Sequence, residues 1–107
     1  MAYSEKLADR LRRALAGIGK VEEKKMFGGL AFMVNGKMCL TAGKDRIMCR
    51  IDPDHREEGC ETVIMGGRKY KGYVHVNENN LETKAALDHW VKLALDFNKK
   101  AAFSRFK

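Results

Sequence analysis

Apolar residues recur at helical spacing near the two ends of this chain and at strand-like spacing between them. Leu7, Leu11, Ala14, Leu15 and Ile18 share one face of a helix over residues 4–17, with Ser4 as its N-cap and Gly17 or Gly19 as its stop. Leu87, Trp90, Val91, Ala94 and Phe97 form the stripe of a second helix from Thr83 to Asn98. Strand patterns run over residues 21–27, 30–33, 37–42, 45–51 and 72–77, with a short extended segment at 61–65. The Glu22-Glu23-Lys24-Lys25 run marks the first strand as an edge, where charge discourages unwanted pairing. Asp52-Pro53 opens a short helix that Gly59 ends. The expected fold is α+β and two-layered: an antiparallel sheet of about five strands packed on the N- and C-terminal helices, with the short helix as a connection. Leu7, Leu11, Leu15, Phe32, Leu40, Ile47, Leu87, Trp90 and Val91 should share one core.

The turns carry further detail. Gly28-Gly29 lies between two apolar segments and reads as a bulge or sharp bend. A phosphate-cradling loop would need a helix directly after it, and the residues that follow read as a strand. Asn35-Gly36 is a hairpin signal. A three-residue loop, Val34-Asn35-Gly36, sets Leu30 and Phe32 opposite Leu40 and Met38, gathering large apolar groups on one face. Gly43-Lys44 as the next turn pairs Ile47 with Leu40 and Cys49 with Met38. Leu30, Phe32, Met38, Leu40, Ile47, Cys49 and Ile51 then face the helices, and Cys39, Arg46, Met48 and Arg50 face away. The two cysteines should therefore lie on opposite faces, and a homodimer could bury the outer face around Cys39 and Met48.

Three motifs together resemble a known family. The first is the stretch Lys25–Met38, with Met26, Phe27, Gly28, Gly29, Asn35 and Gly36. The second runs from Gly66 to Val74 and includes Gly67 and Gly72; the third is the closing helix with Leu87, Trp90 and Val91. In order and spacing they resemble the N-terminal domain of the TfoX/Sxy proteins, bacterial regulators of competence, over most of residues 4–98. The resemblance implies the same two-layer fold. It also implies a regulatory or adaptor role acting through protein contact, with the transcription machinery in the competence regulators. Longer members carry a second, helical domain; here residues 99–107 follow the closing helix, and the expectation is a stand-alone domain over 1–107 with a basic tail at 99–107.

Charge adds a second reading. The chain carries 21 basic and 14 acidic residues, a net charge of +7, which favours polyanions. Arg68, Lys69, Tyr70, Lys71 and Tyr73 form the best basic-plus-aromatic cluster, in what reads as a flexible basic turn over 66–71. Such a cluster can track phosphates and stack on bases, and with the tail it could contact nucleic acid. A solvated hairpin tip with locally packed tyrosines would carry the same residues.

Candidate chemistry is sparse. The three cysteines are an odd number without paired Cys-x-x-Cys spacing, which disfavours a zinc site or a disulfide framework. His55, Glu58 and Cys60 are neighbours in sequence but do not match a metal-binding motif. His55, His75 and His89 fall in separate elements without a recognisable nucleophile and orienting partner. No catalytic residue, metal or cofactor is expected. With no membrane-length apolar run and no signal-peptide core, the default location is the cytoplasm.

Overall fold

In the computed structural model, which describes residues 3–26 and 28–101, Ser4 caps helix α1 (Glu5–Ala14) by accepting the Leu7 N–H at 3.2 Å. Leu7, Ala8, Leu11 and Leu15 turn one face of α1 to the core. Ile18 lies past the helix end and is 40% exposed, so it leaves the buried stripe that the spacing predicted. Thr83 caps helix α2 (Lys84–Asn98) through the Ala86 N–H at 3.1 Å. The buried face of α2 is Leu87, Trp90, Val91, Ala94 and Asn98, while Phe97 is half-buried.

Six strands, one more than expected, build a single antiparallel sheet: β1 (Val21–Met26), β2 (Gly29–Val34), β3 (Lys37–Ala42), β4 (Arg46–Arg50), β5 (Glu61–Met65) and β6 (Arg68–Asn77). Their order is β1-β2-β3-β4-β6-β5, which leaves the charged β1 at one edge, as its composition predicted. Both helices pack on one face, and all nine predicted core residues fall in the helix-side cluster. Phe32, Leu11, Leu40 and Ile47 are fully buried there; truncating such a side chain to alanine costs about 2–5 kcal/mol, so this layer dominates stability.

Both hairpin registers differ from expectation. Val34 pairs directly with Lys37, so the β2–β3 loop has two residues, and Asn35 and Gly36 both take positive φ (54° and 78°). Two such residues match the strand twist, which favours the shorter loop. The realignment comes instead from a bulge: Met33 faces Met38 but Phe32 faces Leu40, with Cys39 as the extra residue. Cys39 therefore joins the helix-side core with Cys49, and Met38 turns to the outer face, the reverse of the predicted assignment. In the next hairpin Leu40 pairs with Cys49 and Ala42 with Ile47, so Lys44-Asp45 forms the tip rather than Gly43-Lys44. Gly43 is held in the ladder on two sides: its N–H donates to Arg46 O and its carbonyl accepts the Ser4 N–H, both at 2.8 Å.

The short helix after Asp52 is also replaced. Asp52 does accept the Asp54 N–H at 2.9 Å and the His55 N–H at 3.0 Å, but the chain makes one turn and then an irregular loop. Arg56 Nη1 donates to the Pro53 carbonyl at 2.9 Å, an acceptor that a continuing helix would use for its own backbone. A 3-10 turn at Glu78–Asn80 forms the link into α2 instead.

The outer face is not free. Ala31, Met33, Met38, Met48 and Val63 are all buried on it, with Met26, Met65, Tyr70 and Tyr73 packed around them. This cluster draws on all six strands and on neither helix. Flexible methionines adapt readily to irregular packing of this kind. Met48 is only 5% exposed, and Cys39 points to the helices rather than to the outer face where it was expected.

Candidate functional site

A concavity lies between the two helices, each of which packs on the sheet. It is pinned at one end by Arg10, whose Nη2 donates to the Leu81 carbonyl at 2.6 Å. At the other end stands the β2–β3 hairpin, with Val34 and Asn35 in the wall. The volume is about 770 Å³, and Ala14, Ile18, Leu87, Val91 and Leu95 give it an apolar floor.

Asn98 closes this end of the groove. It continues the α2 stripe at position 87, 91, 94, 98 and is 3% exposed. Its Nδ2 donates to the Val34 carbonyl at 3.2 Å, and its own carbonyl accepts Lys37 Nζ at 2.9 Å. The sequence reading ended the helix at Asn98 without giving it a role. A polar residue in register with a buried stripe was the available signal, because such a group needs an internal partner.

Charge around the rim is unequal. Asp88 pairs with Lys84 at 2.8 Å and Asp96 with Lys92 at 3.6 Å, so these four cancel. Arg13 and Lys99 also line the groove and have no acidic partner among the described residues. Of the neighbouring arginines, Arg12 forks onto Glu23 at 2.8 and 2.9 Å and bridges α1 to β1, an exposed pair worth little to stability. The groove thus offers apolar contact along its floor and net positive charge at its margin.

The predicted basic-plus-aromatic cluster is divided by the fold. The turn is Gly66-Gly67 alone, with φ of 58° and 76°, and residues 68–71 already belong to β6, paired with β5. Strand alternation sends Arg68 and Tyr70 to one side and Lys69 and Lys71 to the other. Tyr70 and Tyr73 pack edge-to-face, with ring centres 6.3 Å apart, against the outer methionine cluster, and Arg50 sits 5.6 Å over the Tyr73 ring. Both tyrosines are half-buried in these contacts. The other predicted motif residues have structural positions. Met26 ends β1 and packs on the outer cluster, Gly28 lies between β1 and β2, Gly29 opens β2 opposite Met26, and the backbone of Gly72 accepts the Ile51 N–H at 2.7 Å. Phe27 and the tail from residue 102 lie outside the described residues.

One polar constellation escaped the sequence reading. Glu57 lies between two imidazoles, with Oε1 2.9 Å from His55 Nε2 and Oε2 2.6 Å from His89 Nε2. Burial raises its pKa, but the hydrogen bonds from His55 and His89 outweigh that and hold it below the ordinary carboxylate value. The contact ties the 52–60 loop to α2. His89 also packs edge-to-face on Trp90 at 5.4 Å. Glu58, the carboxylate singled out from sequence, is exposed, and the Cys60 thiol donates to the Glu57 carbonyl at 3.4 Å. Among the described residues no group of three or more His, Cys, Asp or Glu is arranged to hold a metal ion. Burial pushes the Cys39 thiol up to about 12 and the Cys49 thiol well above its usual value, so neither is a ready nucleophile. No helix among the described residues is long and apolar enough to cross a membrane.

A family model described as TfoX N-terminal domain matches residues 13–98. No curated protein and no solved structure matches the chain.

Proposed function

Because this chain belongs to the TfoX N-terminal domain family, we propose that it acts as a small non-enzymatic regulatory module through protein contact. Its docking surface is the groove between α1 and α2. The observation that carries this reading is the groove's composition: an apolar floor of about 770 Å³ volume beside two cations, Arg13 and Lys99, with no acidic partner among the described residues. That combination suits a partner segment with an apolar face and an acidic flank, laid along the helices as amphipathic helices are in other grooves. The family points to a transcription regulator as the partner and to competence control as one setting.

The experiment is site-specific photocrosslinking in cells from position 95, in the groove, and from position 22, on the exposed edge strand β1. A discrete protein adduct from position 95 alone is expected. The same protein, once purified, should bind the wild-type chain and lose at least tenfold in affinity to Leu95→Glu, which places a charge on the apolar floor. Equal adducts from both positions, or unchanged affinity of the variant, would reject the groove. A turnover activity that depends on a residue in a pocket would reject the non-enzymatic reading.

A further inference from the structure

A second concavity, of about 330 Å³, lies between the 52–60 loop and strands β5 and β6, away from the interhelical groove. Lys69 and Lys71 line it from alternate positions of β6, and Arg56 lines it from the loop. Both lysines are exposed and have no hydrogen-bond or ion-pair partner among the described residues. Arg56 spends only Nη1, on the carbonyls of Pro53 (2.9 Å) and His55 (3.3 Å), which orients the guanidinium and leaves the rest of its fork unused.

Two carboxylates also line the space, and both are engaged. Asp52 accepts the Asp54 N–H at 2.9 Å and faces Lys100 at 3.5 Å. Glu57 is held between His55 and His89. The cations therefore converge on a concave site whose acidic groups are already engaged elsewhere. The walls are braced. Gly72, at φ +87°, lets β6 approach the loop so closely that a Cβ there would stand 3.0 Å from the Ile51 carbonyl. The Ile51 N–H to Gly72 O bond at 2.7 Å then fixes loop against strand. The frame fixes the backbone that carries the lysines, and the oriented Arg56 guanidinium loses little freedom when an anion arrives.

The geometry points to a binding site for a small phosphate-bearing anion, with Lys69 and Lys71 as charge partners and Arg56 as the planar fork. Arginine's donors match phosphate oxygens in pairs, and lysine supplies compact charge. The volume is at the small end of the range for ligand pockets, about 300–1,000 Å³, and suits a small ligand rather than a polymer strand. The site does not depend on the groove reading, because it uses a different face and different residues.

The test is titration of the isotopically labelled full chain with inorganic phosphate and with pyrophosphate, followed by backbone amide NMR. Saturable shifts confined to residues 52–60 and 69–72 are expected. Lys69→Gln/Lys71→Gln should weaken binding at least tenfold, as loss of hydrogen bonds to a charged group does. Arg56→Lys should weaken it too, since the charge stays but the fork is lost. Arg68→Gln, on the same strand but the opposite side, should leave affinity within twofold. All variants change exposed residues, and an unaltered amide spectrum elsewhere checks the fold. An equal effect of Arg68→Gln would show that net charge alone is at work and overturn the site. So would linear, unsaturable shifts, or binding only by long oligonucleotides with shifts on both sides of β6.

Discussion

Gly28 and Gly29 are adjacent and chemically identical, yet the structure requires glycine at each for a different reason. Gly28 sits at φ +71°, and a Cβ built there meets nothing within 4 Å. Gly28→Ala therefore carries the left-handed backbone cost of about 1–2 kcal/mol. Reduced freedom of the unfolded chain offsets about 0.4–1 kcal/mol of it. The net loss is about 1 kcal/mol, and Gly28→Asn should lose less, because asparagine tolerates this conformation. Gly29 has no positive φ; its Cβ would instead collide with the Ala42 carbonyl oxygen and stand 3.2 Å from Thr41 Cγ2. The obstacle is backbone of the neighbouring strand, so β2 and β3 must part where Leu30 meets Ala42. Overpacking of that kind costs about 1–3 kcal/mol and more when backbone must move, and we expect about 3 kcal/mol or above. With about 4–8 °C of Tm lost per kcal/mol in a domain of this size, Gly28→Ala should melt about 5 °C lower and Gly29→Ala at least 12 °C lower. Urea denaturation followed by circular dichroism gives the midpoint and the slope. Asparagine should relieve the substitution at 28 and not at 29. If Gly28→Ala were the more damaging of the two, or if both acted equally, the assignment of strain to one site and contact to the other would be wrong.

Thiol reactivity and acid stability test other parts of the fold. At pH 8 a maleimide should modify Cys60 in the native protein, while Cys39 and Cys49 should react only on unfolding, because burial raises their pKa and blocks access; simultaneous labelling of all three by mass spectrometry would contradict the buried assignment. Glu57 has a folded pKa below its ordinary value of 4.5, so it stabilises the fold above that value, and the contribution disappears as pH falls through the folded pKa. Glu57→Gln should therefore melt below wild type near pH 6, with the gap closing toward pH 3; a gap that stays constant with pH would remove the two-histidine contact as its cause.

The legible parts of this protein were those with a local signal. Helical spacing of Leu7, Leu11 and Leu15 and of Leu87, Trp90 and Val91, with Ser4 and Thr83 as caps, located both helices. The charged run at 22–25 placed β1 at an edge, and Asn35-Gly36 located a hairpin. These depend on residues within a few positions of each other, where propensity and periodicity act directly. The bulge at Cys39 does not. It arises because a two-residue loop and the pairing of Phe32 with Leu40 must be satisfied together, and one extra residue reconciles them. It also reversed the faces of Met38 and Cys39, since each step of register exchanges the sides of a strand.

The functional surfaces were set at longer range still. Sequence proximity made Arg68 to Tyr73 look like one cluster, but strand alternation and the outer methionine cluster separate lysines from arginine and tyrosines. Conversely, Glu57 and His89 are 32 residues apart and meet only because the loop after β4 folds onto α2. Asn98 reaches Val34, 64 positions away, to close the groove. The chain by itself determined the helices, most strands, the edge and the family pattern, because backbone preference and apolar period are properties of short segments. The tertiary structure alone decided register, the buried outer cluster, the interhelical groove and the convergence of Arg56 with Lys69 and Lys71. Those depend on which distant surfaces must bury apolar area and satisfy polar groups against each other, a condition that no local stretch contains.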